Sequence, residues 1–431
     1  MPRNLTDLME AAVSAAPPEP HHASDITQLA ERRQRRRTTF VTGGAALAVA
    51  VVAVVTVGLT QHHPSSPEPV GRYQYGRTVG ASSAVPASSL PGYRPEPWTI
   101  PSVQHLGPGR GAAPTYQQVD AQGRLIVQDW PNGPDRVRRT RIFDGPGRGP
   151  RAVQQPPSPG SNAGTPTVWL PSFLDDGRLL WHTSAPTTRP GSTGFHVTDL
   201  DGGHDVFVHS DFGDGISAGQ PWIAGDRMWF TSYDGDTLKG TSHSLYTAPF
   251  SGPLTKVASH VAVAQVADGR VVWVTTAGHL VTETAAGGPQ QDVRVPLTEG
   301  CRMSSTLDLQ NAGAEPLAVS DSAIALPETC GPENDSRQEL LAFDWSGRLL
   351  VHVTGLYSFN PSLGHDALVF QGLVPSGYQK EASFRYDLVT GTLAALSPVA
   401  TYPLLQYPQA AGRYVLWYDR AGGHAAEFTG S

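Results

Sequence analysis

Apolar positions in this chain fall in short runs instead of at helical spacing, and after residue 120 nearly every run is led by the same cue. A Gly, once an Asp, precedes four to six mostly apolar residues and then a polar stretch. The cue appears as Gly123-Arg-Leu-Ile-Val, Gly177-Arg-Leu-Leu-Trp, Gly225-Asp-Arg-Met-Trp-Phe, Gly269-Arg-Val-Val-Trp, Asp321-Ser-Ala-Ile-Ala-Leu, Gly364-His-Asp-Ala-Leu-Val-Phe and Gly412-Arg-Tyr-Val-Leu-Trp. A second cue follows in phase, a strand ending in an acidic residue and a later Gly, as in Arg-Ile-Phe-Asp144-Gly145, Leu-Ala-Phe-Asp344-Trp-Ser-Gly347 and Tyr386-Asp-Leu-Val-Thr-Gly391. Alternation within these strands is expected to bury one side of each against a neighbouring sheet, and the acid with its Gly forms a tight turn.

The first and last cues lie 289 residues apart (412 − 123), so the six intervals average about 48 residues, the spacing of propeller blades. The pattern therefore predicts an all-β, seven-bladed β-propeller over 98–431. The Gly-led run is the second strand of each blade and the acid-turn strand the third. On that phase the last blade lacks its outermost strand, and Trp98-Thr-Ile-Pro-Ser-Val103 is expected to supply it and close the ring.

One stretch breaks this pattern. Residues 40–59 carry no charge over twenty positions, enough helix to cross the ~30 Å hydrocarbon core. Glu31-Arg-Arg-Gln-Arg-Arg-Arg37 precedes it and uncharged Gln61-His-His-Pro-Ser-Ser follows. The positive-inside rule then puts 1–37 in the cytoplasm, a transmembrane helix at 38–60, and the rest outside, at a plasma membrane. A cleaved export signal is the alternative; the full membrane length and the lack of a small-x-small site favour retention. The tail, 1–37, divides at Pro17-Pro18-Glu19-Pro20 into two short amphipathic stretches, and is expected to be partly helical or disordered. Residues 61–97, rich in Pro, Ser and Gly, read as a stalk.

The layout of tail, Arg run, Ala/Val membrane helix and repeat-bearing outer domain resembles actinobacterial single-pass proteins that are often encoded beside extracytoplasmic-function sigma factors. The resemblance implies signalling, with a cytoplasmic regulator meeting residues 1–37. The repeats, Tyr386–Gly391 most closely, resemble those of TolB-like and quinoprotein-like (WD40-like) propellers. Quinone-binding members carry a Trp after the Thr-Gly turn; here Thr392-Leu-Ala-Ala follows, so no cofactor is expected.

Composition narrows the partners. The net charge of −7 argues against nucleic acid, which needs a basic surface. The only cysteines, Cys301 and Cys330, fall in loops that a propeller brings to one face on the oxidising side of the membrane, and are expected to form a disulfide. Trp181, Trp229, Trp273 and Trp417 recur at one blade position and are expected to wedge between sheets. Gly215-Ile-Ser217-Ala-Gly219 spells a hydrolase elbow without the strand–turn–helix that the elbow requires. His204 and His209 share a strand in this reading and face opposite sides. Asp211-Phe-Gly-Asp214 and Tyr233-Asp-Gly-Asp236 lack a closing Glu, so no metal site is expected.

The connections between second and third strands are long and dissimilar in five blades, whereas Thr276-Ala-Gly278 serves the fourth. Asp129, Trp130, Tyr233, Asp234, Arg337, Tyr378, Lys380 and Asp419 lie on or beside these connections and are the candidate ligand-binding residues. The resulting expectation is a membrane-anchored extracytoplasmic binding or sensor protein, its propeller contacting an envelope protein or glycan. The alternatives are a propeller enzyme, a glycan lyase or hydrolase, and an envelope-assembly scaffold.

Overall fold

The computed structural model describes residues 73–98, 115–129, 139–154, 156, 167–168, 171–174, 177–184, 194–209, 212, 216, 221–233, 243–303, 317–332, 337–373, 380–397, 400–401, 408–419 and 422–429. These form an all-β domain. Three short strands come first: β1 (Arg77–Gly80), β2 (Val85–Pro86) and β3 (Tyr93–Pro95). Antiparallel meanders follow in chain order. The first is β4 (Thr115–Val119), β5 (Leu125–Asp129), β6 (Arg139–Phe143) and β7 (Pro150–Ala152). The second pairs β8 (Thr167–Val168) and β9 (Ser172–Phe173) with β10 (Leu179–Ser184), then adds β11 (Gly194–Thr198) and β12 (Val206–His209).

Two meanders then share a strand: β13 (Trp222–Ala224), β14 (Arg227–Tyr233), β15 (His243–Pro249), the 13-residue β16 (Thr255–Ala267), β17 (Arg270–Thr275), β18 (Leu280–Thr284) and β19 (Gln291–Val293). Next, β20 (Cys301–Met303) and β21 (Ala318–Val319) pair with β22 (Ala323–Cys330), followed by β23 (Arg337–Asp344) and β24 (Leu349–Thr354). After them come β25 (Tyr357–Leu363), β26 (Ala367–Leu373), β27 (Lys380–Asp387), β28 (Leu393–Ala395) and β29 (Ala400–Thr401), and finally β30 (Gln409–Ala411), β31 (Tyr414–Asp419) and β32 (Gly422–Phe428).

A separate apolar cluster fills each gap between successive meanders. Ile126, Ile142, Phe173 and Trp181 join the first two; Phe195, Met228 and Phe230 join the next pair. Trp229 and Trp273 pack where β16 is shared, and Val272, Ile324 and Phe343 follow. Further round lie Ala325, Val351 and Phe370, then Val369, Val415 and Trp417. Tyr414 and Leu416 of the last meander meet Leu125, Val127 and Phe143 of the first, which closes the circle. Sheets packed face to face in cyclic order are a β-propeller. The four cue tryptophans sit in these gaps at 0–4 % exposure, each removing apolar surface worth up to about 4–6 kcal/mol.

Packing on both faces changes one expectation. The middle strands do not alternate; every described residue of β11 and of β22 is buried. A central strand covered on both sides reads as a continuous apolar run, which is why the cues look as they do.

The N-terminal strands depart from the stalk expected over 61–97. β1 pairs in parallel with β24, β2 in parallel with β28, and β3 antiparallel with β32, so residues 77–95 edge three consecutive sheets. The last meander does receive an N-terminal outer strand, but that strand is Tyr93–Pro95, with Tyr93 opposite Phe428, instead of 98–103. Trp98 fastens the closure differently: its indole N–H donates to the Gly123 carbonyl at 3.0 Å, and its ring lies 5.4 Å from that of Tyr414. Residues 99–103 lie outside the described residues. The segments 1–37 and 38–60 lie outside them too, and among the described residues no helix is long and apolar enough to cross a membrane.

Candidate functional site

Strand direction sorts the connections onto two rims. Hairpins from first to second strand, and turns from third to fourth, share the turn rim; connections from second to third strand leave from the opposite, loop rim. Five cue glycines take left-handed φ at the turn rim, Gly123 (+78), Gly177 (+83), Gly225 (+62), Gly269 (+72) and Gly412 (+55), a region that a Cβ makes costly. Gly364 has no such φ; there a Cβ would stand 3.0 Å from the carbonyl oxygen of Gly412, so close approach of two meanders explains that glycine.

The sequence-derived candidates mark the loop rim. Asp129 ends β5, Tyr233 ends β14 and Asp419 ends β31, while Arg337 begins β23 and Lys380 begins β27. Trp130, Asp234 and Tyr378 lie outside the described residues. Of the described set, Arg337 has a defined environment: its guanidinium is 2.8 Å from Glu339 and largely exposed.

The disulfide is present. Cys301 and Cys330 face each other across β20 and β22, Cα atoms 4.2 Å apart, at the loop-rim end of that sheet. Beside it the register builds a buried ionic cluster. Glu328 opposes Glu339 across β22 and β23, and His352 of β24 lies on the same face. His352 Nε2 stands 2.5 Å from Glu339 and 3.3 Å from Glu328. Glu328, with no exposed surface, also accepts from the Thr298 N–H at 2.9 Å and the Thr298 hydroxyl at 2.6 Å.

Burial alone would raise the Glu328 carboxyl, but the bonds from His352 and Thr298 outweigh it and hold the group below the usual carboxylate range. His352 is held above the usual imidazole range, first by its bond to Glu328, against burial and with help from Glu339. Each carboxylate is met by its own partners, Glu328 by His352 and Thr298, and Glu339 by His352 and Arg337. The arrangement is an ion network clamping three strands.

Sequence reading found the cysteines and missed this cluster. Its members are 11 and 13 residues apart (339 − 328; 352 − 339), and only cross-strand register brings them together. Elsewhere, His204 precedes β12 at φ +47, leaving only His209 in the strand, and its Nδ1 pairs with Asp199, which raises its pKa. His196 and Asp205 pair at 2.6 Å. Of the Gly215–Gly219 segment only Ile216 is described, packed against an apolar cluster; Asp211, Asp214 and Asp236 lie outside the described residues.

No protein-family model and no curated protein sequence matches the chain. Among solved structures it is similar to an oligogalacturonate lyase from Vibrio parahaemolyticus, at 9 % identity and TM-score 0.47, over 78 % of this chain and 96 % of that one. It is also similar to the β-propeller domain of the Trilobed protease from Pyrococcus furiosus, at 8 % identity and TM-score 0.39, over 73 % and 92 %. BamB from Moraxella catarrhalis follows at 10 % identity and TM-score 0.34, over 72 % and 83 %. These likenesses carry no statement about activity.

Proposed function

We propose that this protein is a seven-bladed β-propeller, anchored by a transmembrane helix at 38–60, that binds an envelope glycan or protein through its loop rim outside the cell. The blade count rests on the seven apolar clusters between successive meanders among the described residues. The observation that carries the binding role is the asymmetry of the rims. The turn rim repeats one local chemistry, while the strand ends send connections of unlike sequence, 130–138, 185–193, 234–242, 331–336 and 374–379, to the other. A rigid ring presenting variable loops is a recognition surface. The tail, 1–37, meets a cytoplasmic regulator on this reading.

A glycan lyase or hydrolase is the second reading, favoured by one observation, the opposed carboxylates Glu328 and Glu339 beside His352. Their donors are internal and Glu328 is sealed, which suits support better than catalysis. Co-sedimentation of the full chain with purified envelope polymer tests the choice. Binding that falls at least tenfold in Lys380→Glu with Asp419→Lys supports the loop-rim reading; unchanged binding overturns it. Release of new reducing or unsaturated sugar ends by the wild-type chain moves the assignment to the enzyme.

A further inference from the structure

Two fastenings, one covalent and one polar, add to the packing of Val295 in holding one connection on the loop rim. Residues 294–300 join β19 to β20, and their far end is tied covalently through Cys301–Cys330. The second tie is Thr298, whose N–H and hydroxyl both donate to Glu328 at 2.9 and 2.6 Å. An ionised carboxylate accepts both bonds; a protonated one becomes a donor at one oxygen and loses part of its hold. His352 keeps that carboxylate ionised, its Nε2 shared between Glu328 at 3.3 Å and Glu339 at 2.5 Å. Without the imidazolium, two buried carboxylates face each other with only Arg337, 65 % exposed, to offset them.

The surroundings of His352 are simple. β22 presents Glu328 and β23 presents Glu339 and Arg337 to the cluster, while the same sheet also carries Arg77 on β1, Arg302 on β20 and Asp344 on β23. β1 places uncharged Thr78 opposite it, and β20 contributes Met303 and the disulfide. The neighbouring meander packs this face with Val272, Val274 and Leu280. Among the described residues the charges acting on His352 are those of Glu328 and Glu339.

The geometry points to a proton-controlled latch: with His352 charged and Glu328 ionised, Glu328 grips Thr298 and holds that end of the 294–300 connection onto the ring, and loss of either condition releases it. The raised His352 contributes fully below its unfolded value, and its share is lost as pH rises through the raised one. The lowered Glu328 contributes above its unfolded value, and its share is lost as pH falls through the lowered one. The latch is closed between the two. It is a property of the ring and stands whether or not the loop rim binds a ligand.

Hydrogen exchange at the Thr298 amide reads the latch directly. In the full chain, disulfide intact and rates corrected for intrinsic pH dependence, protection is expected to peak between the two titrations and fall severalfold on each side. His352→Gln is expected to abolish the alkaline limb, and Arg337→Gln to keep it. A flat wild-type profile, or an alkaline limb surviving in H352Q, overturns the latch. If H352Q fails to fold, the imidazole titration of wild-type His352 by NMR decides: a pKa at or below the ordinary histidine value overturns the proposal.

Discussion

The turn rim and the loop rim share every central strand, yet they are held by different kinds of interaction. At the turn rim a set of local turn contacts recurs, beside bonds between meanders such as Trp98 to the Gly123 carbonyl and Ser322 to the His365 carbonyl. Asp120 accepts from the N–H groups of Gln122 and Arg124, Asp344 from Ser346 and Arg348, and Asp387 from Val389 and Thr390. Glycines at positive φ complete the same turns, as at Gly347 (+79) and Gly391 (+72). At the described part of the loop rim the contacts are long-range: a disulfide across 29 residues, and Glu328 bound to Thr298 and to His352. Local chemistry can be copied from blade to blade, so it repeats. Long-range chemistry must be built once, so that rim is free to vary.

The contrast can be broken from either side. The largest expected effect is at the loop rim: Cys301→Ser with Cys330→Ser should lower stability by about 3–4 kcal/mol, the entropy of a closed loop of about thirty residues, read from the denaturant midpoint. At the turn rim, Gly123→Ala should cost about 2–3 kcal/mol. Its φ is +78 and a Cβ there would stand 2.5 Å from the Tyr414 ring, where the last meander meets the first. Gly269→Ala, at φ +72 with nothing within 4 Å of its Cβ, should cost only the backbone share of about 1 kcal/mol, so the difference between the two measures the closure contact.

Smaller effects sharpen the comparison. Wild-type stability against pH should show a plateau that falls as pH rises through the raised His352 value, and His352→Gln should remove that fall, as thermal melts at several pH values would record. Lys380→Ala and Asp419→Ala, at strand ends on the loop rim, should change stability by no more than about 0.5 kcal/mol while weakening envelope binding. A large loss of stability there would place those residues in the scaffold.

How much of this was written in the sequence follows the same division. The cue glycines were legible because a positive φ admits few other residues, and the tryptophans because a wedge between sheets recurs at one phase. The cysteines were legible because topology alone brings their loops together. The edge strands at 77–95 were not. They run for only two to four residues and their side chains are mostly exposed, so their bonds are backbone bonds, which leave no apolar pattern. The same economy shifted the closing strand from 98–103 to Tyr93–Pro95, where Trp98, the residue with a visible signal, serves as a pin instead. Glu328, Glu339 and His352 had no motif because register, not spacing, assembles them.

The most direct test replaces the loop-rim connections 130–138, 234–242 and 374–379 with the short Thr276-Ala-Gly278 turn that already serves the β17–β18 hairpin, and measures binding of the full chain to envelope polymer beside its thermal stability. A melting temperature near that of the wild type with binding lost is the predicted result. Binding retained at wild-type strength would contradict the account, and would move recognition to another surface of the ring.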